Sequence, residues 1–320
     1  MESLLQVKLA AKTVEADGVV SFELVSANAD PLPTFEPGAH IDLHVPGGPV
    51  RQYSLVNPFR EGGSYNIGVL REPASRGGSS WLVDEARAGD ILQISAPRNH
   101  FQLDPSAIDS LLLAGGIGIT PLYCMAQVLA RDQLAFRLHY CGRSLSRMAF
   151  VDPLRRAGYS GQVHIHVDEG SPGQQFKARG TIGAPSSGRH LYVCGPTGFM
   201  DHVLSTARSL GWDEEHLHRE YFAAAPLDHA SDGAFEVQLG IGGRVIRVAA
   251  DQSAAHALLD AGVDISISCE QGVCGTCLTG VLEGLPEHHD MYLTDTERAR
   301  NDCFTPCCSR ARSGRLVLKL

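Results

Sequence analysis

Positive charge is scarce in this chain: 27 Lys and Arg stand against 36 Asp and Glu, giving a formal charge of −9 over 320 residues. Non-specific nucleic-acid binding is driven by basic side chains, so the balance argues against a polynucleotide partner. Cysteine is too sparse, at nine, for a disulfide-dense scaffold, yet six of the nine lie in the last 52 residues, so sulfur has a local use there. The opening residues Met1 to Lys8 lack both a basic cluster and an apolar run of signal-peptide length, which predicts a cytoplasmic protein with reduced thiols. Long hydrophobic runs are missing too, with one imitation. Residues 110–130 carry no charge over 21 positions, about the length a bilayer needs, but three glycines and Pro121 interrupt them. A buried strand, glycine turn and helix is expected there, with no membrane span. No internal repeat is visible. What remains, 43% hydrophobic and 20% charged residues with 34 Gly and 17 Pro, is ordinary globular composition, and the length calls for two or three domains.

Up to about Leu103 the apolar residues fall in short alternating runs, at 5–11, 19–25, 41–45, 53–56 and 65–70, separated by Pro37-Gly38, Pro46-Gly47-Gly48 and Gly62-Gly63. This density of strands and turns predicts an antiparallel β-barrel. From Ser110 to about Phe222 apolar strands at 111–114, 136–140, 163–167 and 191–194 alternate with helical segments, the pattern of a parallel α/β sheet. A small-residue stretch, Ala223-Ala224-Ala225-Pro226, reads as the start of a linker. Beyond it a hairpin (235–239 and 244–248), a short helix (253–261) and a closing strand (315–320) are expected. The predicted domains are therefore 1–104, 105–225 and 234–320, with 226–233 joining the last two.

The most specific signal is Cys269-x4-Cys274-x2-Cys277, followed by Cys307 thirty positions later. This is the plant-type spacing for a 2Fe-2S cluster. Gly272 and Gly275 suit a loop that must wrap closely around sulfides and aim N–H groups at them. Structural zinc also takes four thiolates, but usually from two short knuckles. Cys303 and Cys308 compete on spacing for the fourth position.

Two glycine turns follow apolar strands: Gly115-Gly116-Ile117-Gly118-Ile119-Thr120-Pro121, and Cys194-Gly195-Pro196. Each lets backbone approach a pyrophosphate at a helix N-terminus, although a plain tight turn explains either one alone. The first is not G-x-G-x-x-G, and the next strand ends in Cys141-Gly142-Arg143-Ser144 without the acidic residue that usually holds a ribose. On the barrel, Arg51 and Tyr53 share one face of a strand, a cation beside an aromatic ring that suits a phosphorylated flat ligand. Arg76-Gly77-Gly78-Ser79-Ser80 opens a helical stretch (81–86) and offers N–H groups and hydroxyls to a phosphate, or simply caps the helix.

In this order, Arg51-x-Tyr53-Ser54, Arg76 to Ser79, the Gly115 to Pro121 turn, Cys194-Gly195-Pro196, Glu220-Tyr221-Phe222, the C-terminal cysteines and Cys307-Cys308-Ser309-Arg310 make the chain resemble the phthalate dioxygenase reductase family over nearly its whole length. The resemblance implies an FMN-binding barrel, a pyridine-nucleotide domain and a ferredoxin-like β-grasp domain. It implies that Arg51 and the turn Arg76, Gly77, Gly78, Ser79 and Ser80 hold the flavin phosphate, that Tyr53 packs on the isoalloxazine, and that Ser54 lies near flavin N5. Gly115, Gly116, Gly118, Thr120, Pro121, Cys194, Gly195 and Pro196 are implied for the nicotinamide nucleotide, with Phe222 at the flavin face. Ser54, Thr120, Cys194 and Phe222 are the residues expected at the reacting centre. Cys269, Cys274, Cys277 and Cys307 would ligate the cluster, the cysteine before x-Ser-Arg being the family's fourth ligand.

Arg143, Ser144 and Arg147 fit a 2′-phosphate, so NADPH joins the family's NADH as a candidate donor. A nicotinamide gives up two electrons as hydride and a 2Fe-2S cluster accepts one at a time, which is why a flavin stands between them. The implied partner is the Rieske-type oxygenase of an aromatic hydroxylase or demethylase, served by a monomeric reductase. A cytochrome P450 acceptor and a non-catalytic redox sensor are the alternatives, and the glycine turns weigh against the sensor. From Pro226 onward, 13 Asp and Glu face 8 Lys and Arg, so a basic docking patch on the acceptor is expected.

Overall fold

The computed structural model describes residues 4–28, 30–73, 77–222 and 233–320, in two units, Met1–Glu220 and Tyr221–Leu320. The expected linker lies almost wholly outside these residues.

Alternation of side chains across the pleat builds the first sheet. In β1 (Leu5–Ala16), Val7 and Leu9 are buried while Gln6 and Lys8 are exposed. β2 (Val19–Ser26), β3 (His40–His44), β4 (Val50–Ser54), β5 (Tyr65–Leu70) and β6 (Ile91–Ile94) complete an antiparallel sheet ordered β4-β3-β6-β1-β2-β5. A bridge between Leu55 and Ile67 joins the two edges and closes the barrel. Its core holds Leu9, Phe22, Leu24, Ile41, Leu43, Tyr65 and Ile67. Helix α1 (Gly78–Asp84) adds Leu82 to that core, and Lys12 Nζ donates to the carbonyls of Val83 and Ala86 at its C-terminal end.

The chargeless segment resolves as β7 (Asp109–Gly115), a tight turn over Gly116–Gly118, and helix α2 (Ile119–Arg131). It lacks charge because strand and helix are both buried. There follow β8 (Ala135–Gly142), α3 (Val151–Arg156), β9 (Val163–Val167), α4 (Ala178–Ile182), β10 (Arg189–Cys194), α5 (Thr197–Ser209) and β11 (Leu217–Glu220). The sheet is parallel throughout, in the order β11-β10-β7-β8-β9. The chain runs outward from β7 to β9, then returns to lay β10 on the other side of β7. In such sheets ligands bind where the order reverses, outside the carboxyl ends of the strands, here beyond Gly115 and Cys194. Val56 and Phe101 share a core cluster with Leu112, Ala114, Leu122, Met125 and Tyr192, which welds barrel and parallel sheet into one unit. Strand β11 is not signalled by the sequence, since Leu217 is the only apolar residue of Leu-His-Arg-Glu.

In the second unit, β12 (Phe235–Leu239), β13 (Val245–Val248), α6 (Ala254–Asp260), β14 (Thr279–Glu283), β15 (Pro286–Glu287), α7 (Asp295–Arg300), β16 (Cys303–Phe304), β17 (Arg310–Ala311) and β18 (Arg315–Leu318) form a mixed sheet, β13-β12-β18-β14-β16, and a small two-stranded ribbon of β15 and β17. β12 and β18 run parallel. Phe235, Val237, Leu258, Phe304 and Leu316 fill its core. Ser253 caps α6 by accepting the His256 N–H, and Thr294 with Glu297 forms a capping box on α7. Among the described residues no helix is long and apolar enough to cross a membrane.

Candidate active site and cluster loop

The end of β4 carries Arg51, Tyr53 and Ser54. Arg51 lies where Gly78 has no side chain: a Cβ there would stand 2.7 Å from Arg51 Cγ and 2.9 Å from Nε. The guanidinium arm is thus laid along the first turn of α1. That helix starts at Gly78 rather than Trp81, because Gly77, at φ 100°, turns the chain into it with no side-chain cap. Ser79 Oγ accepts the Glu72 N–H at 3.1 Å, and Ser80 is half-buried beside it in the helix. Arg76 lies outside the described residues. Tyr53 is half-buried, and burial pushes its phenol well up against the opposing charge of Arg51. A cation held beside a half-buried ring, next to the first turn of a helix, fits a flavin phosphate and its planar rings.

Ser54 is buried, and its hydroxyl donates to Glu220 Oε2 at 3.4 Å. Glu220 ends β11 directly beside Cys194, and His40 Nδ1 stands 4.0 Å from its other oxygen. Enclosure drives the Glu220 carboxyl up to about 8, with the Ser54 hydroxyl only partly opposing it, so it keeps its proton at neutral pH. Burial likewise raises the Cys194 thiol far above its ordinary value. A neutral thiol is a wall of the site, not a nucleophile. Glu220 and His40 are the residues that the sequence did not assign a role.

The two glycine turns interlock. A Cβ on Gly118 would fall 2.3 Å from the Cys194 carbonyl oxygen, and one on Gly195 would fall 2.9 Å from Gly115 Cα. Gly115 also makes room for Phe199 and Pro196. Gly116 differs: φ is 53° and nothing lies within 4 Å of where its Cβ would be, so its backbone stays open to a ligand. Thr120 is buried, its hydroxyl donating to the Ile117 carbonyl at 3.0 Å and its methyl packed on Gly68 of β5. Pro121 sits in the first turn of α2, and Pro196 stands at the N-cap of α5. Phe222 belongs to the second unit and is 40% exposed.

In that unit the thiol of Cys307 meets those of Cys269 and Cys277, and Cys269 meets Cys274. The N–H groups of Gln271 and Thr276 point at the sulfurs of Cys269 and Cys274, each at 3.4 Å. Donated S–H and N–H groups push the Cys269 thiol down. Four converging sulfurs ringed by backbone donors are the chemistry a 2Fe-2S cluster requires. The loop depends on glycine at two positions. Gly272 and Gly275 have φ of 71° and 72°, and a Cβ would strike Cys308 Sγ at 2.4 Å and the Tyr292 ring at 2.3 Å respectively. Cys303 lies on β16 against Asp302, and Cys308 is buried between Thr305 and Ser309.

Residues 239–312 match the family described as the 2Fe-2S iron-sulfur cluster binding domain. The chain is 50% identical over 317 residues to vanillate O-demethylase oxidoreductase of Pseudomonas sp. (strain HR199 / DSM 7063), which spans 99% of this chain and 100% of that relative. The solved structure of phthalate dioxygenase reductase, described as modular for electron transfer from pyridine nucleotides to 2Fe-2S, is 38% identical with a TM-score of 0.75, covering 99% of this chain and 98% of its own. An intact type IV self-sufficient cytochrome P450 monooxygenase matches with a TM-score of 0.87 at 35% identity, over 99% of this chain and 41% of its own. Matched end to end at these identities, the chain belongs to the phthalate dioxygenase reductase family.

Proposed function

We propose that the chain is the reductase component of a Rieske-type aromatic oxygenase or demethylase, carrying hydride from NADH to FMN and single electrons onward through a 2Fe-2S cluster. The observation that carries this reading is the ring of Cys269, Cys274, Cys277 and Cys307 in a chain whose other unit sets two interlocked glycine turns at a strand-order reversal. Full-length similarity to an O-demethylase oxidoreductase supports the same role. Arg51 and the turn from Arg76 to Ser80 hold the flavin phosphate, Tyr53 packs on the rings, and Ser54 lies at the reacting edge. Gly115, Gly116, Gly118, Thr120, Pro121, Cys194, Gly195 and Pro196 shape the nicotinamide site.

The flavin, when bound, supplies the change from two-electron to one-electron transfer. The chain supplies position and environment. Ser54 and protonated Glu220 share a hydrogen bond beside neutral Cys194, so these three side chains bring no negative charge to the carboxyl ends of β10 and β11. Arg143 and Arg147, exposed beyond β8, make NADPH the second donor to assay. The protein is read as a cytoplasmic monomer. A cytochrome P450 acceptor is the second reading, favoured by the fold match to the P450 monooxygenase. Metal and flavin analysis of purified protein tests the cofactors: two irons and one FMN per chain are expected, and zinc without iron, or an adenine-containing flavin, contradicts the assignment. Electron delivery to a purified Rieske oxygenase and to a P450 separates the acceptors.

A further inference from the structure

At the opposite end of β10 and β11 from Cys194 and Glu220, three metal-ligating side chains converge that electron transfer does not use. His190 is the second residue of β10 and is buried at 3% exposure; His218 is the second residue of β11. His190 Nδ1 lies 2.9 Å from His218 Nε2 and 4.0 Å from Asp104 Oδ2. One atom from each of the three falls within 4.8 Å of the others.

The groups are held in place by their surroundings. Asp104 Oδ1 accepts both the N–H (2.8 Å) and the hydroxyl (2.5 Å) of Ser106, and the Asp104 N–H donates to Tyr192 Oη at 2.8 Å. That turns Oδ2 toward the imidazoles. His218 stacks flat on Tyr192, with ring centroids 4.4 Å apart, and lies edge to edge with His190 in nearly the same plane, centroids 5.2 Å apart and nitrogen facing nitrogen, while His216 meets His190 edge-on at 4.7 Å. Burial keeps both His190 and His218 neutral, and the Ser106 hydrogen bonds keep Asp104 ionised. Two neutral imidazoles and one carboxylate are a donor set for a borderline divalent cation, while magnesium and calcium prefer all-oxygen shells.

We propose that Asp104, His190 and His218 form a second metal site, separate from the cluster, for a divalent transition-metal ion of the zinc type, with water in the fourth position. Metal–nitrogen bonds of about 2.0–2.1 Å at a tetrahedral angle need the two ring nitrogens slightly farther apart than they are and each ring turned so that its lone pair leaves the line of the N···N contact. The imidazole that now donates across this contact shifts its proton to its other ring nitrogen, so no proton need leave the site. The ion would tie the segment before β7 to β10 and to edge strand β11, whose far end carries Glu220.

The test is calorimetric titration of iron-loaded holoprotein with Zn2+, alongside His218→Phe, which keeps a ring on Tyr192, and Asp104→Asn, which keeps an acceptor for Ser106. The expected result is one equivalent bound by wild type with no loss of iron, and binding weakened at least about tenfold in both variants. Co2+ in place of Zn2+ should give a weak visible spectrum without the intense near-ultraviolet band of thiolate ligation. Equal binding by wild type and both variants, no binding by wild type, or a thiolate band with release of iron would each overturn the proposal.

Discussion

Single side chains set the order of electron flow. Cys277→Ser should abolish cytochrome c reduction yet leave flavin bleaching by NADH intact, because the cluster lies downstream of hydride transfer; loss of bleaching in a folded variant would reverse that order. With Arg51 holding the flavin phosphate as proposed, Arg51→Ala would remove a charge-assisted contact worth roughly 1.5–3 kcal/mol, so FMN affinity should fall roughly 10- to 150-fold in a fluorescence titration. Glu220 gives a pH signature. Its carboxyl is raised from the ordinary 4.5 to about 8, so between these values the unfolded chain has lost a proton that the folded chain keeps. Folding stability contributed by this group is therefore full below about pH 4.5 and lost as pH rises toward 8. Glu220→Gln cannot titrate, so the melting temperature of wild type relative to this variant should decline across that window, and a flat difference would show that the carboxyl is not buried as described. The cysteines were legible because a metal loop writes its ligands at short, fixed spacings. Glu220 was visible only as a letter in a motif, since its partner Ser54 lies 166 residues away.

Elements place these groups, and here close approach matters more than composition. Gly118→Ala would drive a methyl into the Cys194 carbonyl, forcing the turns after β7 and β10 apart. Overpacking of this kind costs roughly 1–3 kcal/mol, and thermal unfolding should show it together with a raised KM for NADH. Five of the six barrel strands, the first four parallel strands and helices α2 and α6 were readable because burial writes apolar periods of two or 3.6 into the sequence, whereas four-residue β6 was not read. Strand β11 escaped: at the sheet edge it pairs through backbone while its side chains are His218, Arg219 and Glu220. The short strands β15, β16 and β17 escaped for a similar reason, each being two residues long. The two glycine turns were visible in the sequence as turns after apolar strands, but their interlocking was not, because it joins segments about 75 residues apart in the chain.

The whole molecule joins a hydride-accepting unit to an acidic one-electron unit, with 13 Asp and Glu against 8 Lys and Arg from Pro226 to the end. Complementary charge mainly raises association rates and is screened within a Debye length of about 8 Å at physiological salt. Electron delivery to the oxygenase should therefore slow as ionic strength rises; a rate that is flat or increases with salt counts against charge-steered docking. Entry of hydride at the flavin and exit of single electrons through the cysteine-bound cluster can be followed in one experiment, anaerobic stopped-flow mixing of holoprotein with NADH, with freeze-quenched samples read by electron paramagnetic resonance. Flavin absorbance should be lost first and the reduced-cluster signal should follow, at a lag set by internal transfer. A cluster signal that precedes flavin reduction, or a flavin that neither NADH nor NADPH reduces, would contradict this route.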